Sequence, residues 1–214
     1  SIACISLVFL VILFGRTLSQ HTTDLPFPKA EASSDITALR ESANNGNAES
    51  QLTLAGLYFV GKGGVTRDTT TGVQWLTRSA EQGNATAQLI LGMLYYRGEA
   101  VALDLTTAKE WFAKAGHRGN AEAQYYLGLV FATGKGAPES KIKAYLWWNL
   151  AKAQGHEKAA QELETLRVKM TEEEITEAQT LTLAKQEEIK STVNTPENSV
   201  SQLLRESQEI QDEL

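Results

Sequence analysis

The chain repeats itself with a period of 36 residues over much of its length. Three tryptophans mark the period, since Trp75, Trp111 and Trp147 stand 36 residues apart. A fixed period in this range is the signature of a helical repeat array, in which every unit packs on its neighbours. The period therefore predicts the class of fold. It also favours a surface that contacts partners over a pocket that assembles catalytic groups.

The first half of each unit has the spacing of one helix, which we call helix A. Its apolar residues recur at intervals of three and four, and this places them on one helical face. A glycine follows the last aromatic residue and suits the left-handed conformation that ends many helices. In the second unit, the positions that recur in every helix A are Asn84, Ala85, Gln88, Leu91, Gly92, Tyr95 and Gly98.

A small residue lies in the middle of helix A in every unit. It is Ala55 in the first unit, Gly92 in the second and Gly128 in the third. A glycine inside a helix costs about 1 kcal/mol relative to alanine. Because two of the three units accept this cost, we predict that another helix crosses helix A there at close range.

The second half of each unit predicts another helix, helix B, after a short polar loop. Asp68 and Asp104 precede it as predicted N-caps, and Ser140 has the same place in the third unit. The repeated tryptophans lie on helix B, where we expect them to be buried and to hold neighbouring repeats together. Trp148, which follows Trp147, is then the one tryptophan left for other contacts.

The combined pattern resembles the Sel-1-like repeat family, which is related to the tetratricopeptide repeats. The resemblance covers residues 35–156. It implies an all-α, right-handed α-solenoid of about three full helix-turn-helix repeats with N- and C-terminal capping helices. It also implies a scaffold that binds a protein or peptide in a concave groove lined by helix A. The residues that carry it are Ala85, Gln88, Leu91, Gly92, Tyr95 and Gly98, followed by Asp104, Ala108, Trp111, Ala115 and Gly119.

If the tetratricopeptide geometry transfers, the exposed positions of helix A form the partner-binding groove. They mix aromatic, apolar and charged groups, as peptide-binding surfaces do. An alternative for Leu52, Leu89 and Tyr125 is packing against the neighbouring repeat, whereas Tyr96 and Arg97 favour the groove, as does Phe59. The predicted groove residues are Glu49, Leu52, Phe59, Thr86, Leu89, Met93, Tyr96, Arg97, Glu122, Tyr125 and Leu129.

A repeat array needs ends that cover its apolar faces. The segment from Asp35 to Asn45 predicts a lone helix B before the first full repeat. Residues 157–189 predict C-terminal capping helices. Within them, the segment from Thr171 to Glu174 fits a capping box that opens a helix through about Glu188.

The two ends of the chain differ in character from the array. Residues 1–19 contain an apolar run from Ile2 to Phe14, which is typical of a signal peptide; an uncleaved signal anchor is the alternative. Residues 20–34 predict a polar linker, and residues 190–214 an acidic tail that we expect to be disordered. These features predict a periplasmic or secreted bacterial protein, or one anchored in the inner membrane and facing the periplasm.

The sequence contains no motif for a cofactor, a metal or a nucleotide. No basic stripe along the repeats favours nucleic acid. We therefore expect a non-enzymatic protein without cofactors. An enzyme or regulator acting on peptidoglycan is an alternative, although Glu49 and Glu122 lie two repeats apart, too far to share one glycosidic bond. The ending from Gln211 to Leu214 resembles a retention signal, so an adaptor in the lumen of the endoplasmic reticulum is a third hypothesis.

Overall fold

The computed structural model describes Pro26 and residues 36–193. Within those residues the chain forms nine α-helices and no strand, which confirms the all-α class. The predicted signal segment 1–19, the linker 20–34 apart from Pro26, and residues 194–214 of the tail lie outside the described residues. The helices are α1 (Ile36–Asn44), α2 (Ala48–Val60), α3 (Thr69–Glu81), α4 (Ala85–Arg97), α5 (Leu105–His117), α6 (Ala121–Thr133), α7 (Lys141–Ala153), α8 (Glu157–Arg167) and α9 (Glu172–Val193).

The chain divides into two compact units, the first ending at Asp104 and the second beginning at Leu105. In the first unit the lone helix α1 packs on α2, α2 on α3, and α3 on α4. In the second unit α5 packs on α6, α6 on α7, and α7 on both α8 and α9. The division falls inside the second repeat, between its helix A (α4) and its helix B (α5).

Helix A begins with an asparagine N-cap in all three repeats. The side-chain oxygen of Asn47 accepts a hydrogen bond from the backbone N–H of Ser50 at 2.8 Å. Asn84 and Asn120 make the equivalent bonds at 2.9 Å. Because the first N–H groups of a helix have no partner inside it, such a cap stabilises the helix by about 1 kcal/mol. The Asn-Ala pair that opens each unit is therefore a helix start.

The predicted ends of helix A and two predicted starts of helix B are confirmed. Gly61, Gly98 and Gly134 follow helix A in the left-handed region, at φ of 74°, 68° and 68°. The carboxylate of Asp68 accepts from the backbone N–H of Thr71, and the hydroxyl of Ser140 caps α7 in the same way. The loop between the two helices of a repeat is thus fixed at both ends.

A buried glutamine joins helix A to the end of the helix before it. In each case the amide nitrogen donates to a backbone carbonyl, over 2.9 to 3.0 Å. Each of these carbonyls also accepts the backbone N–H of the glycine three residues later. The glutamine is therefore a second donor to the carbonyl, and the bond gives its own buried N–H group an acceptor. The donors are Gln51, Gln88 and Gln124, and their acceptors are Ala43, Ala80 and Gly116.

The prediction that the repeated tryptophans are buried is confirmed for Trp147 but is wrong for Trp75 and Trp111, which are half-buried. A basic side chain one turn later covers each of these two rings, Arg78 at 4.5 Å and Lys114 at 3.8 Å from the ring centre. Such cation–π contacts occur at partly exposed sites because the cation keeps part of its hydration. Trp75 and Trp111 therefore contribute less to the core than the spacing suggests.

The position after each repeated tryptophan is the deeper one. Leu76 and Phe112 are fully buried there, and Trp148 is 3% exposed, so the prediction that Trp148 is left for other contacts is wrong. Its indole N–H donates to the carbonyl of Tyr125 at 3.1 Å. A side chain on Gly128 would overlap the indole ring, which confirms the predicted close helix crossing in the third repeat.

The long helix α9 covers the outer side of α7. The predicted capping box is confirmed, since Thr171 and Glu174 exchange backbone-to-side-chain hydrogen bonds. Leu146 and Leu150 of α7 are buried, whereas the residues at the same positions of α5, Glu110 and Lys114, are exposed. Apolar residues replace charged ones on α7 because α9 packs there. The helix continues to Val193, beyond the predicted end near Glu188.

None of the helices in the described part of the chain combines the length and the apolar character that crossing a bilayer requires.

The loops after α4 and α6 allow a test of backbone strain. Ala100 has a φ of +60°, and Gly136, 36 residues later, has +90°. We expect Ala100→Gly to stabilise the protein by about 0.5–1 kcal/mol, because the left-handed region is costly for a residue with a Cβ. Gly136→Ala should destabilise it by more than 1 kcal/mol, since the new Cβ would also meet the Leu105 carbonyl. Gly64→Ala is the control, because an added Cβ there meets nothing within 4 Å, so any loss of stability comes from the left-handed backbone alone. Urea unfolding measures all three, and a less stable Ala100→Gly variant would contradict the assignment.

The contact between Gly128 and Trp148 predicts a coupled pair of mutations. Gly128→Ala should cost about 2–3 kcal/mol by displacing the indole, and Trp148→Leu about 2–4 kcal/mol by leaving a cavity. The first repeat carries alanine and leucine at these two positions, as Ala55 and Leu76. The double variant should therefore lose at least about 1 kcal/mol less than the sum of the single variants. Additive losses in denaturant unfolding would show that the two residues do not restrict each other.

Candidate interaction surface

Four of the predicted groove residues lie in the core. Leu52, Phe59, Leu89 and Met93 are each at most 4% exposed, so the prediction that they form an exposed groove is wrong. Phe59 packs against α3, where a Cβ on Gly72 would lie 3.1 Å from its ring. Helix A is apolar on most of its sides because it contacts helices before and after it. A sequence spacing of three and four residues on helix A therefore does not distinguish buried positions from exposed ones.

In the first unit the remaining predicted residues lie on α2 and α4. Glu49 is exposed, and its carboxylate accepts a hydrogen bond from the side-chain amide of Asn84 at 2.9 Å. Thr86, Tyr96 and Arg97 are half-buried on α4. This bond fixes the first turn of α2 against the start of α4, so Glu49 is a structural contact as well as a surface charge.

In the second unit Glu122, Tyr125 and Leu129 are half-buried along one side of α6. The sequence reasoning missed His156, which completes this site. It stands 36 residues after Asn120 and takes the same capping role, since its Nδ1 accepts from the backbone N–H of Ala159 at 3.1 Å. The spacing from Asn120 was the signal that could have identified it.

The ring of His156 is held on three sides. Because Nδ1 accepts the capping bond, the proton lies on Nε2, which donates to the Glu122 carboxylate at 2.9 Å. The ring also stacks on Tyr125, with centroids 4.7 Å apart and planes 21° apart. Both nitrogens are thus used in structure. The arrangement holds the ring in place and adds a partly apolar contact beside Tyr125.

A chain of aromatic rings continues from this site into the core of the second unit. Tyr125 meets Tyr126 edge to face at 5.6 Å, and Tyr126 stacks on Phe112 at 4.8 Å. Phe112 is fully buried, whereas both tyrosines are half-buried. The part of Tyr125 that reaches the surface is therefore supported by packed rings beneath it.

Helix α8 continues the same surface with a different charge. By the repeat register, Lys158 of α8 stands where α6 has Glu122, and Lys169, two residues after the end of α8, stands where α6 has Thr133; both lysines are exposed. Among the described residues, no carboxylate forms an ion pair with either lysine. We call the outer residues of α6, of α8 and of the turn after α8 the α6–α8 face. It combines a partly apolar strip with two exposed cations, and it comprises Tyr125, Leu129, Lys158, Gln161, Thr165 and Lys169.

The described residues offer no metal site, since no three His, Cys, Asp or Glu side chains among them lie close enough to share an ion. Glu49 bonds to an amide and Glu122 to an imidazole. Within each unit the described residues present exposed side chains on packed helices. Such an arrangement can bind another molecule.

His117 is a titratable group whose pKa is shifted by its surroundings in the folded protein. It lies edge to face on Trp147 at 5.3 Å, and its Nδ1 is 3.4 Å from a carboxylate oxygen of Glu188 on α9. Burial lowers the pKa of His117 below its ordinary 6.5, and Lys185 lowers it further. Glu188 opposes both effects but does not outweigh them. The folded protein therefore favours neutral His117.

The Sel1 repeat family model matches residues 48–84, 85–120 and 121–156, just over half of the chain. Among solved structures, the chain is similar to a Sel1 repeat protein from Oxalobacter formigenes, with 33% identity, a TM-score of 0.59, and coverage of 61% of this chain and 98% of that one. It is also similar to c5321, a protective antigen present in uropathogenic Escherichia coli strains that displays an SLR fold, with 25% identity and a TM-score of 0.49. That match covers 80% of this chain and 45% of c5321. No curated protein matches significantly.

The lowered pKa of His117 predicts how stability changes with pH. Below pH 6.5 the unfolded chain binds the proton before the folded one does, so the free energy of unfolding should fall as the pH is lowered through this window. His117→Gln should remove this part of the pH dependence. The measurement is urea unfolding of both proteins between about pH 7.5 and pH 5. A wild-type curve that runs parallel to the variant over this range would contradict the prediction.

Proposed function

Because the chain belongs to the Sel1 repeat family, a family of helical scaffolds for protein–protein interaction, we propose that it is a non-enzymatic adaptor that binds a protein or peptide on the exposed side of helix A. Such a surface lies on a frame of packed helices and keeps its shape when the partner leaves. The proposal replaces the predicted groove with a smaller set of residues, since part of that groove is buried.

The observation that carries the proposal is the α6–α8 face. Interfaces between proteins are rich in aromatic and flexible apolar side chains surrounded by polar groups. Tyr125 and Leu129 pack on the buried cluster of α7, α8 and α9 and provide the apolar part through their exposed portions, and Tyr125 is held in place by His156. Lys158 and Lys169 provide exposed positive charge on α8 and just after it. This composition favours a partner segment that carries both apolar and acidic residues.

We place this activity in the bacterial periplasm. The support is the apolar segment from Ile2 to Phe14, which is typical of secretion signals, followed by a polar linker. An inner-membrane anchor that leaves the repeats in the periplasm fits the same segment. Both locations put the α6–α8 face in contact with envelope proteins.

Paired variants test the surface. Leu129→Gln combined with Lys158→Glu should reduce recovery of partner proteins from an envelope extract by at least about five-fold, because both the apolar and the charged part of the face are lost. The matched control is Leu183→Gln combined with Lys190→Glu, at exposed positions of α9. Circular dichroism checks that both variants remain helical. Equal recovery by the wild type and the α6–α8 variant would overturn the proposal.

A further inference from the structure

The segment after α9 has the chemistry that the α6–α8 face would bind. Residues 194–214 hold one basic residue, Arg205. Their apolar residues come in two groups, the first of which includes the adjacent pair Leu203 and Leu204. The acidic residues lie on both sides of that pair and are Glu197, Glu206, Glu209, Asp212 and Glu213. The segment is therefore both acidic and apolar.

The described chain ends near the turn that leads into α6. Near the end of α9, Ile189 lies 3.8 Å from where a Cβ on Gly119 would stand, and Glu188 contacts His117. These contacts put the last turns of α9 at the corner between α5 and α6. Since a helix rises 1.5 Å per residue, Val193 lies within about 6 Å of helix length from Ile189. The end of the described chain is therefore only a few ångströms of helix beyond a contact with the turn before α6.

The distance that the segment must cover is short. Helix α6 has 13 residues, which corresponds to a length of about 20 Å. Ten residues of extended chain span about 33 Å, so residues 194–203 are long enough to carry Leu203 from the corner to any point on α6. The next ten residues would then lie along α8. No part of the described fold has to move.

We propose that residues 194–214 bind to the α6–α8 face of their own chain, with Leu203 and Leu204 against Tyr125 and Leu129 and with the following carboxylates beside Lys158 and Lys169. The inference rests on the proposed function, because the segment occupies the surface assigned there to a partner. The tail is then an intramolecular competitor, and a partner must displace it.

The energetics of this arrangement require only weak contacts. Exposed ion pairs contribute at most about 1 kcal/mol each, and two leucines in partial contact add little more. A short tether raises the effective concentration of the segment to the millimolar range, so a contact that would be negligible between separate molecules is populated within one. The same weakness lets a partner with a larger interface replace the tail.

The α6–α8 face is a better place for the segment than the exposed side of α9. The outer surface of α9 begins with Glu172 and Glu173 and continues with Glu177, and these carboxylates repel an acidic chain. Lys158 and Lys169 attract it, and they stand beside the exposed carboxylates of Glu157 and Glu164 on α8. The α6–α8 face therefore repels an acidic chain less than the start of α9 does.

Carbodiimide cross-linking of the full-length chain tests the proposal. This reagent joins a lysine to a carboxylate only when the two are in contact. We expect links from Lys158 or Lys169 to Glu206, Glu209, Asp212 or Glu213 in the monomer. Their yield should fall several-fold between about 0.01 M and 1 M salt, as the screening length shrinks from about 30 Å to 3 Å. Leu203→Ser with Leu204→Ser should reduce the yield at least about five-fold, whereas the matched control Leu183→Ser on α9 should leave it unchanged.

Three results would overturn the proposal. These are the absence of such links, links confined to dimers, and links that run to Lys185 or Lys190 on α9 instead. A dimer-only result would assign the face to a second copy of the chain.

Recovery of partner proteins tests the proposed function independently of the cross-links. If the tail contact competes with a partner, Leu203→Ser with Leu204→Ser should raise partner recovery at least about two-fold above the wild type. Recovery that depends on Leu129 and Lys158 without intramolecular links would leave the proposed function intact and reject the tail contact. Links without any recovered partner would reject the proposed function and leave the tail contact standing.

Discussion

The rest of the structure depends on one buried hydrogen bond that recurs at the helix junctions. Gln51, Gln88 and Gln124 each donate an amide N–H to a carbonyl near the end of the preceding helix, which also accepts the backbone N–H of the glycine that follows that helix. A buried amide N–H without an acceptor is costly, so each glutamine must lie against that carbonyl. This requirement fixes the distance and the rotation between successive helices. At the equivalent position of α8 the chain has Ala160 in place of glutamine, and the regular repeat ends there.

The sequence predicted the fold more fully than the site, and the residues show why. The period and the asparagine, aspartate and glycine positions are local signals, because a cap or a left-handed turn depends on a few neighbouring residues. Whether an apolar residue of helix A faces out depends on which helices surround it. Phe59 and Leu89 carry the same local signal as Leu129, yet they are buried whereas Leu129 is partly exposed. A one-dimensional period cannot separate these cases.

The tryptophans also show that the period does not identify which positions are buried. Their regular spacing drew attention to Trp75 and Trp111, whereas the deeper position is the one after them, where residue identity changes from repeat to repeat. It varies because its neighbour varies, as Trp148 fits only against a glycine such as Gly128. The residue after the tryptophan therefore changes from repeat to repeat with its buried neighbour. Trp75 and Trp111, which lie under the basic side chains of Arg78 and Lys114, keep the same identity.

The capping of α4 has a consequence for chemical modification. Asn84, Ala85 and Thr86 form the tripeptide to which cells of some organisms attach an N-linked oligosaccharide. The oxygen of the Asn84 side chain holds the first turn of α4, and its nitrogen, the atom that would carry the sugar, bonds to Glu49. A glycan there would displace Glu49 and separate the starts of α2 and α4. In the folded protein this tripeptide is committed to structure, so a sugar could be added only before the first unit folds.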